Sequence, residues 1–155
     1  MVSRPDPSCR TALADLVRSI PEFGPADVPV ALELIDAALA GSPDYQLLLD
    51  VEDDGRLRGY VCFGPTPMTR STWDLYWIAV HPRWRRQGVA GTLVARLEAY
   101  LITRGARLIR VETASNDAYE PTRAFYDRVG YKQLARIPDF YKEGDDLIVY
   151  GRRLF

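Results

Sequence analysis

Residues Ile78 to Thr92 read IAVHPRWRRQGVAGT, and this stretch decides the fold. It opens as the end of an apolar strand, crosses a basic turn and enters a helix at once. Val89, Leu93, Leu97 and Leu101 recur every four residues, with Ala90, Val94 and Tyr100 beside them, which marks one face of a long helix. Arg104-Gly105 closes it with a cation in the last turn and a glycine stop. The first-turn amides of a helix have no internal partners and carry partial positive charge, so such a turn can hold an anion. Gly88 and the small Ala90 let backbone approach a diphosphate closely, while Arg85 and Arg86 add charge. Neither the GxxxxGK[ST] nor the GxGxxG spacing of nucleotide-binding loops is present. From charge alone, an ordinary turn with solvated arginines fits equally well.

Upstream, Thr72–Val80 reads as a strand rich in Trp, Tyr, Ile and Val. Before it, Tyr45–Val51 and Arg56–Phe63 form a hairpin around Asp54-Gly55, a pair that suits two positive-φ turn positions. Two helices precede these strands. Thr11–Ile20 carries Leu13, Leu16, Val17 and Ile20 at helical spacing, and Asp27 opens a second helix whose stripe is Ala31, Leu34, Ile35, Ala38 and Leu39. Downstream come a strand at Arg107–Thr113, a helix at Pro121–Val129, and closing strands at Tyr131–Ala135 and Leu147–Leu154. The order α-α-β-β-β-α-β-α-β-β describes one mixed α/β layer structure. Residues 1–10 are expected to be a flexible N-terminus and residues 11–155 a single domain.

Composition narrows the function classes. The 155 residues are 47% hydrophobic and 26% charged, ordinary for a globular chain, and 20 Lys and Arg against 21 Asp and Glu give a net charge of −1. That balance argues against a nucleic-acid partner, despite Arg83-Trp84-Arg85-Arg86. Cys9 and Cys62 lack metal-ligand spacing and His81 is the single histidine, so no metal is expected. The start MVSRPDPSCR has no apolar stretch of the signal-peptide kind, and the longest apolar run, Leu75–Val80, is far below the ~20 residues of a membrane span. A cytoplasmic location with no membrane partner is the expectation.

Arg85-x-x-Gly88-x-Ala90, directly after a strand ending IAVHP, resembles the coenzyme A signature (Q/R-x-x-G-x-G/A) of the GNAT superfamily of acyl-CoA N-acyltransferases. Ala124-Phe125-Tyr126-Asp127-Arg128-Val129-Gly130-Tyr131 is similar to the family's A-x-x-FY-x-x-x-GF/Y element, and Asp139–Tyr150 resembles the C-terminal region of its peptide-modifying members. The resemblance covers roughly residues 45–154. It implies an α+β domain with a central, mostly antiparallel mixed sheet, helices on both faces and a splay between two parallel central strands. It implies acetyl-CoA as cosubstrate, with the pantetheine arm along Ile78, Ala79 and Val80. The pyrophosphate would sit on the amides of Arg86 to Gly91, within a cofactor-binding turn of Arg85, Arg86, Gln87, Gly88, Val89, Ala90, Gly91 and Thr92. Tyr126 would serve the departing thiolate, and backbone N–H near Ile78 or Ala79 would stabilise the oxyanion.

Two carboxylates are candidates for the base that takes the amine's proton, Glu112 on the strand after the helix and Asp74 on the strand before it. Strict alternation puts Asp74, Tyr76, Ile78 and Val80 on one face, with Trp73, Leu75 and Trp77 on the other. At pH 7 a lysine-like amine of pKa ~10.4 costs about 4.6 kcal/mol to deprotonate, an α-amine of pKa ~7.8 only about 1. Asn116 stands ten residues before Tyr126 where many relatives place an asparagine seven before. Tyr141 is a candidate for the acceptor groove. The resemblance thus implies transfer of an acetyl group to a primary amine, in a small molecule or a peptide, by a monomer or homodimer. A catalytically silent coenzyme-binding or partner-binding module of the same fold is the alternative.

Overall fold

A computed structural model describes residues 2–155; Met1, the first residue of the expected flexible segment, lies outside them. The elements are β1 (Val2–Ser3), α1 (Arg10–Ser19), α2 (Asp27–Leu39), β2 (Gln46–Val51), β3 (Leu57–Pro65), β4 (Thr72–Val80), α3 (Val89–Ile102), β5 (Leu108–Ala114), α4 (Glu120–Arg128), β6 (Lys132–Lys142) and β7 (Asp145–Arg153). Among the described residues seven strands form one sheet in the order β1-β2-β3-β4-β5-β7-β6. Every neighbouring pair is antiparallel except β4 and β5.

Period-two alternation sends side chains to two cores. Leu47, Leu49, Tyr60 and Cys62 meet Leu13, Leu16, Val17, Ile20, Ala31 and Ile35 of the α1–α2 layer. Leu48, Val61, Phe63, Ile109 and Ile148 meet Leu93, Leu97 and Leu101 on the opposite face, where Tyr126 of α4 also packs. A leucine as fully buried as Leu97 contributes about 1.5–3 kcal/mol relative to an exposed one, so the four-residue repeat of α3 is what fixes that helix across the sheet.

Three local expectations need correction. The β2–β3 hairpin has a positive φ only at Gly55, not at Asp54. Gly55 N–H donates to Glu52 O and Glu52 N–H to Arg56 O, each at 2.9 Å, so the turn is a three-residue loop whose last member is left-handed. β6 runs on through Lys142, with a register shift between Ile137 and Lys142, rather than ending at Ala135. The third concerns β4. Cys62 pairs with Trp77 but Phe63 with Leu75, so a bulge inserts one residue and breaks the alternation. Leu75 therefore shares a face with Ile78 and Val80, while Tyr76 and Trp77 both lie on the side of Ala79.

β4 and β5 hold together only at their starts. Thr72, Trp73 and Asp74 pair with Leu108, Ile109 and Arg110, and beyond Asp74 and Arg110 the two strands part. This is the splay.

Candidate active site

The parting of β4 and β5 opens a cleft of about 700 Å³. One wall is β4, with Tyr76, Trp77, Ile78, Ala79 and Val80, and the other is Val111, Glu112 and Thr113 of β5 with Phe125 and Tyr126 of α4. His81 N–H donates to Arg58 O at 2.8 Å, which sets the phase of the β3–β4 ladder. Since antiparallel residues alternate in the direction of their main-chain groups, those of Ile78 and Val80 turn away from β3 toward the gap. Ala79 turns to β3, and its side chain joins the α1–α2 core while still bordering the cleft.

At one end the cleft meets a hollow of about 200 Å³ at the start of α3, lined by Val80, Trp84, Arg85, Arg86, Gly88, Val89, Ala90, Gly91, Phe125 and Arg128. Arg86 and Gly88 both have left-handed φ, +61 and +79; for Gly88 the conformation is free of steric cost. Among the described residues no protein group accepts from the main-chain N–H of residues 86–91; the next amide, Thr92, donates to Gly88 O at 3.0 Å. Six consecutive free donors at a helix N-terminus make an anion cradle.

Most of the expected coenzyme residues meet at this hollow; Ile78 and Ala79 border the cleft alone, and Gln87 and Thr92 border neither. Gln87 Nε2 donates to Arg83 O at 3.2 Å and braces the turn, and Thr92 is exposed. Arg85 borders both hollow and cleft, and its two Nη atoms each lie 2.8 Å from a carboxylate oxygen of Glu22. That pairing lowers the Glu22 pKa through the hydrogen bonds from Arg85. Arg128 and Phe125, which sequence reasoning missed, border the hollow from α4. The cationic last turn of α4 was the only available signal for Arg128.

Tyr126 is 3% exposed and sits against Phe125, Tyr131 and Tyr150, with ring centroids 5.2, 5.4 and 6.2 Å away. Burial pushes its phenol pKa up, and among the described residues no protein group takes its hydroxyl proton. Tyr126 thus stays protonated at neutral pH with its donor available to the cleft.

The two carboxylates separate. Glu112 borders the cleft, its side chain half exposed, with Arg110 Nη1 3.6 Å away. Asp74 lies where β4 and β5 are still paired and does not border the cleft. It is 7% exposed, accepts from Thr66 Oγ1 at 3.0 Å, and has Arg110 Nε 2.5 Å from its Oδ1. Asn116 also turns elsewhere, its Nδ2 donating to Asp145 at 3.0 Å. Phe23 meets Trp77 edge-on at 6.3 Å over the floor of the other end, where Asp27 and Tyr119 also border the cleft. Tyr141 of β6 is exposed and does not border the cleft; partial burial of its ring and then the Glu112 carboxylate raise its pKa.

A sheet parted between two parallel strands, with a helix N-terminus offering unpaired amides at the opening, defines the class of α+β fold to which this chain is assigned. Residues 12–131 match the model of the acetyltransferase (GNAT) family, and the chain belongs to that family. A GNAT-family structure from Desulfovibrio desulfuricans is 36% identical over 100% of this chain and 99% of that one, with a TM-score of 0.94. An aminoglycoside 6′-N-acetyltransferase complexed with coenzyme A shares the fold at 21% identity, TM-score 0.78, over 100% and 97% of the two chains. So does the ribosomal-protein-S18-alanine N-acetyltransferase of Escherichia coli, at 16% identity, TM-score 0.78, over 99% and 93%. No helix among the described residues is long and apolar enough to cross a membrane.

Proposed function

We propose that this protein transfers an acetyl group from acetyl-CoA to a primary amine by direct attack on the thioester. The observation that carries the reading is the row of unpartnered amides from Arg86 to Gly91, opening on a hollow that runs into the β4–β5 cleft. The twin phosphates of the coenzyme suit that cradle, with Arg86 and Arg128 adding charge. The amide-bearing pantetheine arm suits the main-chain groups of Ile78 and Val80, and would lead the thioester toward Tyr126.

In the reaction the amine nitrogen bonds to the thioester carbonyl carbon and the C–S bond breaks. The Ile78 N–H is the better oxyanion donor, because Ala79 turns to β3. A thiolate leaves with a pKa of ~8.5, and the Tyr126 hydroxyl, its pKa raised by burial, supports it by donating a hydrogen bond. Glu112 takes the ammonium proton, directly or through water; Asp74, held by Arg110 and Thr66, serves the sheet instead. Tyr126→Phe tests the assignment. It should leave coenzyme A binding within about twofold while free-thiol release on an amine panel falls by about 10- to 100-fold, the scale of a lost charge-assisted hydrogen bond. Unchanged turnover would remove Tyr126 from the chemistry.

A further inference from the structure

Glu22 lies in the turn between α1 and α2, 63 residues from Arg85 in sequence, yet its carboxylate takes both Nη atoms of that guanidinium at 2.8 Å. Arg85 borders the α3 hollow, whereas Glu22, with its neighbour Phe23, borders only the other part of the cleft. The pair therefore straps the α1–α2 turn to the anion cradle. Both partners are substantially exposed, 39% and 60% at the side chain, and an exposed ion pair of this kind is weakly held. Phosphate offers the same planar fork more charge, and beside six free amides it competes well. Resting on the acetyl-CoA reading above, we infer that Glu22 stands in for the coenzyme phosphate on Arg85. Coenzyme loading moves Arg85 from one to the other.

The exchange has a consequence at the far end of the cleft. The turn is otherwise tied down by short-range bonds, among them Phe23 N–H to Ile20 O at 3.2 Å and Gly24 N–H to Asp27 Oδ2 at 2.8 Å, and by packing of Ile20, Phe23 and Val28 on the α1–α2 core, with Phe23 against Trp77. Losing the strap loosens residues 20–28 and leaves the Glu22 carboxylate unpaired in the cleft that Asp27 also borders. Loading the coenzyme thus both opens the acceptor end and makes it more attractive to a cationic amine, which favours coenzyme binding first.

Glu22→Gln, at an exposed turn, tests this. Calorimetric titration with coenzyme A should show tighter binding than wild type, by about two- to fivefold, the scale of an exposed ion pair. Arg85→Gln should bind more weakly, and Arg85→Gln/Glu22→Gln should match Arg85→Gln. Hydrogen exchange of residues 20–28 should quicken when coenzyme A is added to wild type, and should already be fast in Glu22→Gln without it. Wild type that binds coenzyme A while Glu22→Gln binds equally or less well would overturn the exchange and leave the acetyltransferase reading standing. Slower exchange of residues 20–28 in the loaded wild type would do the same. No binding by wild type at millimolar coenzyme A would remove both.

Discussion

Replacing Gly91 by alanine is expected to stabilise the free protein while weakening its hold on coenzyme A. Gly91 is the third residue of α3, its φ lies outside the left-handed region, and a Cβ built there meets no atom within 4 Å. Alanine in a helix is better than glycine by about 0.5–1 kcal/mol. In a chain of this size ~1 kcal/mol corresponds to roughly 2–4 °C, so Tm should rise by about 1–4 °C. The open space that spares the new methyl a clash is the hollow itself, because Gly91 is part of its lining. A methyl there crowds a phosphate and screens an amide. One lost charge-assisted hydrogen bond of about 1.5–3 kcal/mol weakens Kd by about 10- to 150-fold. Gly88→Ala supplies the contrast: it also meets no atom, but at φ +79 the backbone alone costs about 1–2 kcal/mol, so Tm falls. Thermal melts with and without coenzyme A, paired with calorimetry, read both effects. A Gly91→Ala protein that binds coenzyme A like wild type, or that melts lower without it, would refute the reasoning.

Glu112→Gln should slow transfer to a lysine-like amine more at pH 7 than at pH 9, since the amine sheds its own proton as pH rises; initial rates at the two values check this, and a pH-independent defect would contradict it. Asp74→Asn should cost about 1–3 kcal/mol of stability by loosening Arg110 and Thr66, seen in urea unfolding, with coenzyme A affinity unchanged. Burial raises the Cys62 thiol from 9.0 to about 12. Unfolding lets it ionise, so its share of stability is whole below about pH 9 and is lost as pH climbs toward 12. Cys62→Ala should flatten the start of that decline in urea midpoints, ahead of the buried tyrosines, whose pKa values are also raised.

What was legible in the sequence was whatever neighbours in the chain decide. Asp27 to Leu39 and Thr72 to Val80 could be bounded from breakers and periodicity, although Asp27 sits inside the first turn with Ala26 at the cap position, and the four-residue repeat of α3 identified the buried face of its helix. The unpaired amides follow from Gly88 opening that helix, so the hollow at the start of α3 could be anticipated. The arrangement of the rest of the cleft could not. The β4 bulge depends on how Cys62 and Phe63 meet their partners across the sheet, and it moved Leu75 to the face of Ile78 and Val80 and Tyr76 to the other, against strict alternation. Asp74 and Glu112 look alike as acidic residues on adjacent strands. Only the point at which β4 and β5 part puts one in the cleft and the other behind it. The Glu22–Arg85 strap joins a turn and a loop that share no local signal.

The main-chain amide resonances of residues 86–91, followed in an isotope-labelled sample titrated with coenzyme A, give the most direct reading of the anion cradle. These six should show the largest shifts of any in the chain, saturating together with smaller changes at Ile78 and Val80. Resonances that stay fixed at millimolar coenzyme A, or shifts concentrated away from the start of α3, would contradict the account.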